Sequence, residues 1–345
     1  MGCIMDTTNL TRKKTSRRVT MEDVGKMAGV SQVTVSRALS DPDKVSAKTL
    51  KKITDAIDAT GFVPNAIAGA LASQKSNLVS ALVPSITNIV YSAAVASFSS
   101  VMREHGYQVL LSETGFDPAD EEAMILTHLS RRPDAVLLTG IHHTAKARKM
   151  LLASDIPVVE IWDVTESPID ICVGFSHDKA AAMAAEFAVS NGYGMAATVS
   201  ASDERAQRRR NAFEMRFAEL TGTKVEYAVQ CEHASLANGR AGLRALQGQQ
   251  MTPGTFVFCS SDVLAHGMLI EANAQGLTVP SDVAIMGFGD QEFAAHTEPS
   301  LSTVRVDRAK LGSSAAMALL SRFENAVPVA PVNDIGFEIV KRTSA

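Results

Sequence analysis

The sequence predicts an N-terminal all-α helix-turn-helix headpiece joined to a two-lobed α/β body, and three observations carry that reading. Charge is unevenly divided in a chain of 345 residues and net charge -4: residues 1–77 hold 12 Lys and Arg against 7 Asp and Glu, and residues 78–345 hold 21 against 30. Between Thr20 and Gly61, hydroxyl caps, glycines and apolar stripes recur at the spacing of short helices. From residue 78 onward, β-branched runs alternate with amphipathic helical stretches, the pattern of parallel sheets with crossover helices.

Composition excludes several classes. With 46% hydrophobic and 20% charged residues the chain is globular and long enough for two or three domains. No run of about 18 apolar residues is present, so a membrane-spanning helix is not expected. Cys3, Cys172, Cys231 and Cys259 form no CxxC pair, against a zinc ribbon, a redox motif or a disulfide scaffold. No apolar h-region follows the first residues, so no export signal is expected, and a cytoplasmic, nucleoid-associated protein is expected. A cationic quarter on an acidic chain fits a phosphate-binding module; charge alone fits a solvated basic tail equally well.

Local pattern separates the two. Residues 1–18, with Arg12, Lys13, Lys14, Arg17 and Arg18, read as a disordered basic arm. Residues 19–63 read as the helix-turn-helix domain. Thr20 and Asp23 have capping-box spacing, and Met21, Val24, Met27 and Ala28 repeat at helical spacing up to Gly29. Ser31 caps a second helix striped by Val35 and Leu39. Asp41 and Pro42 break the chain, Ser46 caps a third helix, and Leu50, Ile53 and Ile57 form its inner face up to Gly61.

In this geometry the second helix enters the major groove. Gln32, Val33, Ser36 and Arg37 are its exposed readers: Gln suits adenine, Arg suits guanine, and Val offers apolar contact to a thymine methyl. Ser31, Thr34 and Ser40 suit phosphate, with Thr20 a further contact candidate. Residues 64–77 read as a hinge helix or linker too short to be stable alone in water. There Asn65 and Ala68 are candidate contacts, and Leu71 is a candidate wedge between base steps in the minor groove.

The segments Val19 to Val24, Ala28 to Ser31, Thr34 to Arg37, Val45 Ser46 and Pro64 Asn65 resemble the headpiece of the lac and gal repressor family. That resemblance implies a homodimer on double-stranded, pseudo-palindromic operator DNA, with Gln32, Val33 and Arg37 as base readers and Leu71 as the hinge-helix wedge. It also implies that residues 78–345 form a type I periplasmic-binding-protein-like body that binds an effector and dimerises. The absence of C-terminal leucine heptads makes a dimer the expected assembly.

In the body, strands are predicted over 78–83, 108–112, 135–139, 157–161, 171–175, 196–200, 225–229, 256–259 and 283–288. Val173 to Phe175 and Leu301 to Val306 read as crossings between lobes. Lobe 1 then spans about 78–172 and 305–325 and lobe 2 about 173–304, with the last strands unassigned. A ligand would bind between them, at the carboxyl ends of strands.

No GxSxG, Walker A or HExxH motif occurs, and no enzymatic activity, cofactor or metal is expected. His142 and His143 follow a strand with no ligating residue at metal spacing and read as a surface loop.

Within the family, residues 84–88, 157–163 and 173–175 look like the gluconate-repressor branch. Most sugar-binding relatives carry an Asp where this chain has Gly289, a loss that removes repulsion toward an anionic ligand. The resemblance places Arg209 and Arg308 at the pocket, where arginines suit a sugar-acid carboxylate. The open alternatives are a solvated Arg208 to Arg210 triplet and an exposed Arg308. Asn88, Tyr91, Glu160 and Asp163 are candidates for hydroxyls and Trp162 for stacking; Asp262 is either a helix cap or a contact. The expectation is a repressor released by a small sugar acid. The alternatives are a corepressor-type regulator, a regulator of neutral-sugar or nucleoside genes, and a solute-binding protein.

Overall fold

A computed structural model describes residues 19–64, 75–86, 89–324 and 330–345. The chain divides into two compact units, one ending at Ser76 and the other beginning at Asn77.

The first unit is built from short capped helices. Helix α1 (Met21–Ala28) opens on a reciprocal capping box: the Asp23 amide donates to the Thr20 hydroxyl at 3.3 Å and the Thr20 amide donates to the Asp23 carboxylate at 2.9 Å. Gly29 ends it at φ 69, a left-handed conformation that costs glycine little. Ser31 caps α2 (Gln32–Ser40), and Ser46 caps α3 (Ala47–Thr60), which closes at Gly61.

Val24, Ala28, Val35, Ala38, Ile53, Ala56 and Phe62 form the core. Two expected core positions are not in it: Met27 is 58% and Leu39 38% exposed. In α2 the buried partner of Val35 is Ala38, three residues on. The small alanine lets the helices approach closely, and Leu39 falls on the flank of the stripe.

The second unit contains two six-stranded sheets. The first joins β1 (Leu78–Val83), β2 (Gln108–Glu113), β3 (Ala135–Thr139), β4 (Val158–Ile161), β5 (Ile171–Gly174) and β11 (Val332–Asp334) in the order β11-β5-β4-β3-β1-β2, all parallel. The second joins β6 (Ala196–Ala201), β7 (Tyr227–Cys231), β8 (Thr255–Cys259), β9 (Val283–Gly289), β10 (Ser302–Arg305) and β12 (Glu338–Val340) in the order β12-β10-β9-β8-β6-β7, with only β12 antiparallel to its neighbour.

Central strands such as β3 and β9 are buried at every residue, as helices on both faces require, whereas every residue of the edge strands β2 and β7 is exposed or half-buried. Helices α4 (Ile89–Glu104) and α11 (Arg308–Phe323) pack together on one face of the first sheet, and α5 (Pro118–Leu129) and α6 (Ala145–Ala153) on the other. On the second sheet the pairs are α7 (His177–Ser190) with α8 (Glu204–Thr221), and α9 (Leu236–Gly248) with α10 (Asp262–Ala274).

Each of the nine predicted strands is present, and the largest displacement is that of β7, which lies two residues later than expected. The stretch 301–306, read as a crossing, is itself mostly strand β10; the chain changes lobe just after it, before α11. A third crossing separates β11 from β12, so the last two strands complete one sheet each. At the first crossing the backbone of Asp163 lies where a Cβ on Gly174 would stand, which leaves room for glycine alone.

Candidate functional site

In the first unit, Met21, Gln32, Val33, Ser36, Arg37, Ser40, Asp41 and Lys44 line one shallow concavity. The predicted readers Gln32, Val33, Ser36 and Arg37 are all exposed, and Val33 is 66% accessible although apolar. Lys26 and Lys44 are tied to Glu22 and Asp41 at 2.7 and 2.6 Å, whereas Arg37 has no such ion pair among the described residues. The hydroxyls are already engaged locally: Thr20 and Ser31 cap helices, Thr34 lies 2.9 Å from Ser31 Oγ, and Ser40 donates to the Arg37 carbonyl. Six basic residues of the 19–64 segment are balanced by six acidic ones, so the cationic excess of the N-terminal quarter sits in residues 1–18 and at Lys75 rather than on the helices. Asn65, Ala68 and Leu71 lie outside the described residues, as does Asn88 in the body.

In the second unit, a cleft of about 740 Å³ opens where strands of both sheets end. Trp162 follows β4, Phe175 and His177 follow β5, Ser202 to Arg205 follow β6, Glu232 and His233 follow β7, Ser260 and Ser261 follow β8, and Phe288 and Gly289 end β9. Helices α7, α8, α10 and α11 begin around it at side-chain caps Ser176, Asp203, Ser261 and Asp307, and their N-terminal dipoles favour negative charge there.

Arg205, Arg209 and Arg308 line this cleft. The three residues of the arginine triplet have separate destinations. Arg208 grips Asp163 at 2.8 Å and Asp178 at 3.0 Å, Arg210 reaches Glu214 at 3.7 Å, and Arg209 turns into the cleft.

The Arg209 guanidinium lies 4.5 Å over the ring of Phe288, donates from Nη1 to His177 Nδ1 at 3.0 Å, and leaves Nε without a partner. It has no carboxylate within ion-pair distance among the described residues. Burial pushes its pKa down to about 10, only partly opposed by the charge of Asp203. His177 in turn donates from Nε2 to the Trp162 carbonyl at 2.9 Å. Burial first, then the charges of Arg209, Arg205 and Arg208, hold its pKa well below the ordinary value, so the ring is neutral and its Nδ1 is free to accept.

Tyr91, Gly289 and Arg308 also line the cleft. Tyr91 accepts from Arg205 Nη1 at 3.3 Å, and Arg308 donates to the Asp290 carbonyl at 3.0 Å. Gly289 sits at φ 127, in a backbone region that disfavours any side chain, and the following Asp290 carboxylate is bound by Arg305 and Arg342 instead of entering the cleft.

Three predicted contacts lie elsewhere. Asp163 lines an adjoining chamber of about 240 Å³ with both oxygens held by Arg208. Asp262 is buried against β9, accepting from Thr303 Oγ1 at 2.5 Å and the Gln291 amide at 2.6 Å, with its pKa raised to about 6 by burial against the lowering effect of those bonds. Glu160 is fully buried beside His143, 3.4 Å from Nε2, and accepts from the Ile169 amide at 2.6 Å.

His143 is therefore not a surface-loop residue. Its side chain is 1% exposed between Glu121, at 2.8 Å, and Glu160; burial opposes its charge, but the two carboxylates outweigh that and raise the pKa to about 9. Folding brings β4 and α5 against the loop after β3, a juxtaposition invisible to sequence spacing. His177, Arg205 and Phe288 are cleft residues that the sequence did not single out; only their places at strand ends and helix starts signal them. Among the described residues no side-chain cluster is arranged to hold a metal ion, and no helix is long and apolar enough to cross a membrane.

Residues 20–65 match the model of bacterial regulatory proteins of the lacI family, and residues 185–345 match a periplasmic binding protein-like domain. The chain is 33% identical over 324 residues to the HTH-type transcriptional regulator GntR of Escherichia coli (strain K12), covering 94% of this chain and 97% of that one. The chain belongs to the lacI family. A LacI-family transcriptional regulator from Silicibacter pomeroyi superimposes with a TM-score of 0.89 at 30% identity, covering 94% of this chain and 99% of that one. The lac repressor dimer bound to operator and the anti-inducer ONPF shares the fold, with a TM-score of 0.83 at 22% identity over 95% and 99% of the two chains. This lacI-family chain is thus a DNA-binding transcriptional regulator.

Proposed function

We propose that the protein is a homodimeric repressor whose affinity for a pseudo-palindromic operator is lowered when a small sugar acid, gluconate or a close relative, enters the interlobe cleft. The observation that carries the effector assignment is Arg209: a buried guanidinium with an unpartnered Nε and no carboxylate partner among the described residues. A buried charge without a counter-charge is costly, and an anion beside Arg209 and Arg308 supplies it. The hydroxyls of Tyr91, Ser202, Ser260 and Ser261, with Asp203 and Glu232 on the rim, suit the polyol end.

On the DNA side, α2 would present Gln32, Val33, Ser36 and Arg37 to base edges, with Ser31, Thr34 and Ser40 as the candidates for phosphate. Leu71 is assigned to the minor groove by the family resemblance, with Asn65 and Ala68 as further candidate DNA contacts. Effector binding would release DNA only by as much as it favours one lobe arrangement over the other.

A gel shift on the gene's own upstream DNA, at fixed salt, with gluconate, glucuronate and neutral glucitol, tests this. The retarded band is expected to dissolve with one acid and to persist with glucitol. Strengthening of the band by the acid would reverse the sign to corepression, and a band indifferent to every acid would remove the effector assignment.

A further inference from the structure

We propose that the indole Nε1–H of Trp162 is a second recognition donor of the cleft, hydrogen-bonding an oxygen of the anion that Arg209 holds. This rests on the reading of the cleft as an anion site. Trp162 is the one tryptophan of the chain and is 5% exposed, so almost none of its ring face is left for a stacked ligand. Its faces and edges meet Tyr91 at 5.7 Å and Phe175 at 6.3 Å, both in T-shaped contact. The nitrogen, however, has no partner among the described residues, although the residue lines the cleft. A buried indole N–H ordinarily finds an acceptor; here the acceptor has to come from what fills the cleft.

Two further observations single out this residue. Its backbone sits at φ 78, a left-handed conformation unusual for a bulky side chain; strain of this kind persists only where the surroundings over-determine it, and it clusters at binding sites. The surroundings are on hand: the Trp162 amide donates to the Val173 carbonyl at 3.3 Å, and its carbonyl accepts from His177 Nε2 at 2.9 Å. The same imidazole receives Arg209 Nη1 on its other nitrogen at 3.0 Å. His177 thus bonds both residues that carry an unpartnered donor, at the Trp162 carbonyl and at Arg209 Nη1. Two fixed N–H groups suit a ligand with two acceptor oxygens on one atom, as a carboxylate has.

The sole tryptophan gives a single indole N–H resonance in a proton–nitrogen correlation spectrum of the full chain, so the first measurement requires no variant. Titration with gluconate, glucuronate, 6-phosphogluconate and glucitol is expected to move that resonance downfield, saturably, with an acid and not with glucitol. Calorimetry on Trp162→Phe, which keeps a ring and removes the donor, is expected to show affinity for that acid reduced roughly tenfold. An acid that binds in an Arg209-dependent way while the indole resonance stays still and Trp162→Phe binds within twofold overturns the proposal and leaves the anion site standing. Failure of every acid to bind overturns both.

Discussion

The two functional faces of this chain treat charge in opposite ways. On the first unit the predicted reading residues are exposed, the charges of residues 19–64 cancel, and Arg37 stands in water. In the body, Arg209 is buried with no ion-paired carboxylate among the described residues, and three arginines line one cleft. A surface cation loses much of its interaction to solvent and salt and works in numbers; a desolvated one interacts strongly with whichever counter-charge arrives. Under the proposed function, affinity for DNA is expected to be spread over many weak contacts and affinity for an effector to be concentrated in few.

Four substitutions break or sharpen that contrast. The largest effect is expected from Arg209→Met, which preserves much of the volume and removes the charge. Effector affinity measured by calorimetry should fall by roughly 100-fold or more, while the melting temperature of the ligand-free protein holds or rises, because a buried charge without a counter-charge has gone. Retained affinity would mean that the cleft binds through hydroxyls alone.

Next in size is Arg37→Gln in the first unit. A base-edge contact carries about 1–3 kcal/mol of discrimination, so operator affinity should drop roughly tenfold with little change on unrelated DNA. A uniform loss on both, with a salt slope reduced by about one, would place Arg37 on phosphate instead.

His143 supplies the paired counterpart of Arg209. Its folded pKa of about 9 exceeds the ordinary 6.5, so the folded state holds more protons than the unfolded one between those values. Its contribution is complete below pH 6.5 and is lost as pH rises through 9. Thermal melts of wild type and His143→Gln should therefore differ most near pH 6 and converge toward pH 10; parallel curves would show that the ring is not charged. The smallest effect belongs to Thr20→Ala, which removes one side of the capping box and should cost about 1 kcal/mol, read as a lower melting point of the first unit with effector binding untouched.

These contrasts also mark what the sequence shows. Thr20, Gly29, Ser31, Ser46 and Gly61 announced the headpiece because caps and left-handed turns are local: the deciding partner lies within four residues. The sheets were legible because a strand buried on both faces is written as an unbroken apolar run, as in 135–139 and 283–289. Short strands such as 302–305, 332–334 and 338–340 were not, since three or four residues carry no period.

Inside the body, residue type suggested roles that only packing could assign. Glu160, Asp163 and Asp262 are acids near strand ends, as ligand contacts would be, yet His143, Arg208 and Thr303 with Gln291 occupy them. Those partners come from distant segments, at no fixed spacing. Arg209 was chosen by resemblance among three adjacent arginines, and its burial without an ion pair among the described residues is a tertiary fact.

The sequence by itself determined the order of the modules, the helix ends of the headpiece and the alternation that builds two parallel sheets, because each depends on neighbours along the chain. The tertiary structure alone decided which charges are neutralised within the protein and that two cleft residues, Arg209 and Trp162, keep a buried donor with no partner among the described residues. A buried group's partner is chosen by distance in space, and sequence separation does not measure it.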